Sequence, residues 1–287
     1  MLSGNKIAAR EKILAQRELA KAELGKLGEK TCLGNYTIGT TDLNQTVSLE
    51  DQVKTILGGP AQDRDPAWEA IWENRIKPAL LGKTTVTTST VARERFITLL
   101  QERLVELKDE KKCKLSMPQY KGDRSPLNTA AGEITMSALF GKKLEEAYLA
   151  AIKEEAATLE FRYAVLINAT KSFTGPQLDE LLYVWVAGAS GSGKSFGAKG
   201  VINELLKHMP SHGEQGVNHF MFVDNGVPRQ VSQMRQAALT AALVCGYSGM
   251  TDLYDKSDAL DVKHDLKNAA VISQHVNLIV PETFSDY

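Results

Sequence analysis

Residues 181–199 read LLYVWVAGASGSGKSFGAK, and the reading of this stretch decides the fold. Gly188, Gly193, Lys194 and Ser195 complete the pattern G-x-x-x-x-G-K-[ST], a loop whose glycines let successive backbone N–H groups close on an anion. The flanks are those the motif requires. Leu181 to Val186 is a continuous apolar run with β-branched and aromatic residues, as in a buried parallel strand, and residues 195–208 have helical spacing. Strand, loop and helix together predict a nucleoside triphosphate site spanning Gly188, Ala189, Ser190, Gly191, Ser192, Gly193, Lys194 and Ser195. In such a site the backbone N–H groups and the helix N-terminus hold phosphate oxygens. Lys194 faces the β- and γ-phosphates of ATP, and the Ser195 hydroxyl ligates Mg²⁺.

Toward the C-terminus, residues 209–218 read as a polar loop and His219 to Val223 as a second strand, ending in Asp224-Asn225-Gly226. Helices are expected over Val231 to Gly246 and Ala259 to Gln274. Val276 to Val280 is a third strand-like run, followed by Pro281-Glu282-Thr283. Strands that alternate with helices imply a parallel α/β sheet, with ligands at the carboxyl ends of its strands. Asp224 then stands where a carboxylate can accept a proton from an attacking hydroxyl. Glu282 stands where an acid can organise Mg²⁺ through water or bind substrate. Arg229 and Arg235 follow Asp224 and are candidates for holding phosphate charge, although an isolated arginine is more often a surface residue. His208 and His212 are four apart, but Pro210 between them should end the helix and separate them as metal ligands.

G-A-S-G-S-G-K-S at 188–195, F-V-D-N-G at 222–226 and N-L-I-V-P-E-T-F-S-D at 277–286 together resemble the zeta-toxin group of P-loop kinases. The resemblance implies ATP- and Mg²⁺-dependent phosphorylation of a small hydroxylated acceptor such as a nucleotide sugar. It also implies that Lys194, Asp224 and Glu282 are the catalytic group. It covers about 110 residues and departs from the family pattern twice. The second acid of the family's D-x-D-like motif falls on Gly226, so Asp224 must take its role. The third motif carries Pro281-Glu282-Thr283 where the family has Glu-Gly-Thr, which displaces the acid by one residue. Only 92 residues follow Ser195, fewer than the five-stranded core and arginine-bearing lid of such a kinase need, so the α/β part is expected to be incomplete.

Toward the N-terminus the pattern changes to helices. Residues 5–27 form an amphipathic helix by spacing, while 31–47 is rich in Thr, Gly and Asn. Ser48-Leu-Glu-Asp51 resembles a capping box and Gly58-Gly59-Pro60 a stop. Asp65-Pro66 should cap a helix that carries Trp68, Ile71, Trp72 and Ile76 and ends near Pro78. The two tryptophans, four apart on one face, are read as core rather than a ligand platform. Long helices follow over Val91 to Lys112 and Thr129 to Thr158, the second broken near Gly141. Residues 113–128 are read as a loop, Phe161 to Ile167 as helix or strand, and Ser172 to Pro176 as a turn.

The expected architecture is thus α plus α/β: a helical domain over residues 1–160, then a truncated P-loop parallel-sheet α/β domain over 161–287. The chain has 34 basic and 35 acidic residues among 287, which gives no electrostatic case for nucleic acid. No apolar run approaches the length of a membrane helix. Cys32, Cys113 and Cys245 are odd in number and show no metal-ligand spacing, so reduced cysteines and a cytoplasmic location are expected. The partners expected are a nucleotide and a small-molecule acceptor, with a protein partner for the N-terminal helices as a further option. The alternatives to a kinase are a P-loop ATPase, and a helical binding or regulatory module on a non-catalytic nucleotide-binding scaffold. The absence of N-K-x-D disfavours a GTPase.

Overall fold

The computed structural model describes residues 36, 47–110, 134–188, 194–247, 250 and 261–282. It is a mixed structure, with helices first and a four-stranded sheet later. The expected helix at 5–27, the loop at 113–128 and the residues after Glu282 lie outside the described residues.

The described residues divide into two compact units, each drawing on both sides of residue 160. One takes the described parts of Thr87–Ala156 and Ser232–Ala259. The other takes those of Tyr36–Val86, Ala157–Val231 and Leu260–Tyr287.

The second unit begins with α1 (Leu49–Gly58). Ser48 Oγ accepts the Asp51 N–H at 3.1 Å, and the chain leaves the helix through Gly59 at φ 75°, a value that favours glycine. α2 (Pro66–Ile71) starts as its sequence demands, with the Asp65 carboxylate accepting the Ala67 N–H at 2.7 Å and Pro66 in the first turn. Trp68 and Trp72 are core residues, their rings stacked with centroids 5.8 Å apart. The helix does not stop at Pro78 as expected. One π-helical segment, Trp72–Ile76, carries the chain into α3 (Lys77–Leu81), so that Pro78 falls in a new first turn, where its missing N–H costs nothing.

In the other unit, α4 (Val91–Asp109) packs on α6 (Lys142–Ala156), with Phe96 and Tyr148 in ring contact at 5.3 Å. A short α5 (Met136–Phe140) precedes α6, and the expected break between them falls at Gly141, φ 93°. Two adjacent glutamates of α6 each cap a different helix. Glu154 accepts the Ala92 and Arg93 N–H groups at 3.0 and 3.2 Å, Arg93 Nε at 3.1 Å and Ser89 Oγ at 2.9 Å. Glu155, 1% exposed, accepts Ser232 Oγ at 2.5 Å and the Gln233 N–H at 2.8 Å, at the start of α10 (Gln233–Val244). Just beyond α10, Cys245 is disulfide-bonded, which corrects the expectation of three reduced thiols.

Returning to the second unit, Phe161 to Ile167 resolves as helix, within α7 (Leu159–Ala169). The chain then enters β1 (Thr170–Leu178), β2 (Tyr183–Ala187), α8 (Lys194–His208), β3 (Ser211–Phe222), α9 (Gly226–Val231), α11 (Val262–Ser273) and β4 (Asn277–Glu282). The strand order is β1-β3-β4-β2. β4 runs parallel to both β2 and β3, but β1 is antiparallel to β3, so the sheet is mixed rather than all-parallel. Two local expectations fall with it. Ser172 to Pro176, expected as a turn, lies in β1, and residues 211–218, expected as a loop, form the first two-thirds of β3.

α11 is tied to the end of α3 by Arg162 of α7, whose side chain is 1% exposed. Its Nη1 donates to Asp265 at 2.7 Å and to the Leu80 carbonyl, and its Nη2 donates to Thr84 Oγ1 at 3.0 Å. Among the described residues no helix is long and apolar enough to cross a membrane.

Candidate functional site

Three strands define the site. Because β2, β4 and β3 are mutually parallel in order, their carboxyl ends fall on one end of the sheet. The register brings Ala187 opposite Glu282 and Val186 opposite Pro281, while Phe222 of β3 stands opposite Ile279. Gly188, Asp224 and Glu282 therefore share that end, each at or just past the end of its strand. α8 packs on one face of the same strands: Ile202, Phe220, Phe222 and Ile279 form a buried cluster with Leu206, Val184 and Val186 against it. Burial of side chains of this size stabilises by about 1.5–3 kcal/mol each, enough to fix the helix on the sheet.

Of the residues expected to form a nucleotide site, Gly188 directly follows β2 and Lys194 and Ser195 open α8. Ala189, Ser190, Gly191, Ser192 and Gly193 lie outside the described residues, as do the side chains of Lys194, Ser195 and Glu282. Glu282 is thus placed by its backbone pairing alone.

Asp224 is half-buried and held by its local turn. The strand ladder runs one residue past β3, where the Val223 N–H donates to the Ile279 carbonyl at 2.9 Å. Asp224 Oδ1 then accepts the Gly226 N–H at 2.8 Å, and the Asp224 carbonyl accepts the Val227 N–H at 3.2 Å. Aspartate is favoured in such a turn because its short side chain reaches its own backbone two residues on. A Cβ at position 226 would sit 3.3 Å from Asp224 Oδ1, so glycine there gives the carboxylate its room.

Two features here carried no sequence signal. The first is Asn225 Oδ1, which is buried without a hydrogen-bond partner. Buried acceptors are nearly always satisfied, so an orphan beside a carboxylate is a place where a ligand or water donor fits. The second is Lys263 of α11, which with Asp224, Val227, Pro228 and Leu266 lines a small recess against the sheet. A single lysine in an amphipathic helix reads as solvated, and only the packing of α11 brings it here. Of the two candidate arginines, Arg229 is half-buried on α9, whereas Arg235 belongs to the other compact unit. His208 ends α8 and His212 lies in β3, so the two do not share a helix face.

No protein-family model matches the chain, and neither the curated proteins nor the solved structures contain a match to it.

Proposed function

We propose that the chain is an ATP- and Mg²⁺-dependent phosphotransferase of the zeta-toxin-like kind, acting on a small hydroxylated acceptor such as a nucleotide sugar. The observation that carries this reading is the G-x-x-x-x-G-K-S sequence between a parallel strand and a helix, at the sheet end shared by Asp224 and Glu282. Among the described residues no group of three His, Cys, Asp or Glu gathers to hold a metal by itself. Mg²⁺ suits such a site, because it binds through few protein ligands together with substrate phosphates and water. Ser195 would be its protein ligand and Lys194 would hold the β- and γ-phosphates. The orphaned Asn225 oxygen supports the acceptor side, since it requires a donor such as a hydroxyl, and Asp224 beside it would take the proton.

The direct test is equilibrium binding of Mg·ATP by the chain and by Lys194→Ala. The expected result is saturable binding that weakens about tenfold or more in the variant, as for loss of a charge-assisted contact. Equal and negligible binding in both overturns the reading. Rapid ATP hydrolysis without an added acceptor would replace kinase by ATPase.

A further inference from the structure

A second concavity lies at the opposite end of the sheet from Gly188, Asp224 and Glu282. It is a groove of about 780 Å³ between the end of α1 and the amino ends of β2 and β4, within the size range of small-ligand sites. Its wall includes Ser172 and Thr174 of β1, with His219 of β3 and His275 just before β4. Its acidic lining residues include Asp63 and Glu180, both exposed. β2 alone is five residues long, so the two ends of the sheet are separated by about 16 Å, too far for one small ligand to bridge.

The chemistry of the lining is selective. Its acids are Asp63, Asp179 and Glu180, and among the described lining residues there is no lysine or arginine. A phosphate or carboxylate ligand would meet repulsion, with no cation among the described lining residues to offset it. The wall offers uncharged hydrogen-bonding groups: Ser172 Oγ lies 2.9 Å from His219 Nδ1, which fixes that ring across the β1–β3 pair. Desolvation lowers both His219 and the more exposed His275 below the ordinary imidazole range, so at neutral pH neither ring brings positive charge to the groove. Uncharged hydrogen-bonding groups on the wall and exposed carboxylates among the lining match a ligand that carries positive charge and can hydrogen-bond.

We propose that this groove is a binding site for a small organic ammonium compound, separate from the nucleotide end of the sheet. The ammonium group pairs with Asp63 and Glu180, and the rest of the molecule lies along Ser172, Thr174 and the two imidazoles.

The test is calorimetric titration of spermidine into the full chain at low salt and neutral pH, beside citrate and a neutral disaccharide as probes. Spermidine is expected to bind at one site. Its dissociation constant should rise about tenfold in Asp63→Asn/Glu180→Gln, two exposed positions whose change leaves the core intact. Citrate and the disaccharide are expected not to bind. Absence of spermidine binding at millimolar concentration overturns the proposal. Spermidine affinity unchanged in the double variant, or disaccharide binding as strong as spermidine binding, overturns it as well. Lys194→Ala should leave spermidine affinity unchanged, so this inference and the nucleotide reading fail independently.

Discussion

Replacing Arg162 by Met removes a buried cation while keeping most of the side-chain volume. In the native chain that guanidinium serves three acceptors at once: Asp265 at 2.7 Å, Thr84 Oγ1 at 3.0 Å and the Leu80 carbonyl at the end of α3. The Asp265 side chain is only 16% exposed, so the substitution leaves a largely desolvated carboxylate without its cation. Breaking one side of such a pair costs about 3–5 kcal/mol, most of it the uncompensated charge. Asp265→Leu alone should cost a comparable amount by orphaning Arg162. The double variant Arg162→Met/Asp265→Leu should lose far less than the sum of the two, because exchanging both partners for apolar groups is often nearly neutral. The assay is denaturant unfolding followed by tryptophan fluorescence. It suits the question because the three tryptophans, Trp68, Trp72 and Trp185, all lie in the same compact unit as Arg162. A coupling energy of about 2 kcal/mol or more is expected. Strict additivity, or an Arg162→Met cost below about 1 kcal/mol, would refute the assignment of this arginine as the tie between α3, α7 and α11.

Two further outcomes concern pH. Burial raises the pKa of Glu154, but the hydrogen bonds it accepts from Ala92, Ser89 and Arg93 outweigh that and hold it below the ordinary carboxylate value. Its contribution is therefore fully present above the unfolded-state pKa near 4.5 and is lost as pH falls through the lower folded value. Glu154→Gln should cost about 1 kcal/mol at neutral pH, as for loss of a helix cap, and should flatten the acid limb of a stability–pH curve measured by far-UV circular dichroism. For His219 the sign is different in origin: burial lowers the folded pKa, so below 6.5 the unfolded chain binds the extra proton and stability declines as pH drops. His219→Asn should shallow that decline between pH 7.5 and 5.5 in the tryptophan-fluorescence assay, and an unchanged slope would count against the buried neutral ring.

Local rules were legible wherever one element decides its own shape. Ser48, Asp65 and Gly141 announce their caps and breaks, and the spacing of Trp68 and Trp72 announces a buried face. β2, expected to be buried, instead lies at the end of the described sheet with Leu181, Tyr183 and Trp185 exposed. As elements, however, β2, α8 and β4 also follow from pattern, and with them the placement of Gly188 and Glu282. The antiparallel half of the sheet does not. Thr170–Leu178 and Ser211–Asn218 are rich in Gly, Ser, Thr and Gln and pair Gly175 with Gly216 and Pro176 with Gln215. Strand propensity reflects cross-strand packing more than backbone preference, so polar strands that stabilise each other look like loops when read singly. Pro176 is tolerated because β1 lies at the sheet edge, where a missing N–H breaks no central ladder. Lys263 and the orphaned Asn225 oxygen escaped for a related reason, since each acquires meaning from neighbours distant in sequence. The interleaving of the two units likewise leaves no trace in composition.

The position of β4 has a consequence for biosynthesis. It is the last-made of the four strands, yet it occupies an inner place between β3 and β2, and β2 pairs with no other described strand. Until Asn277–Glu282 has left the ribosome, β2 therefore waits without its neighbour, with Tyr183 and Trp185 exposed, as they still are in the finished fold. The sheet cannot assemble in step with elongation; it closes in one late event, when a six-residue strand slides between two halves already synthesised. A chain stalled before residue 277 would leave β2 unpaired and the inner edge of β3 open, a condition prone to intermolecular pairing and dependent on chaperone protection.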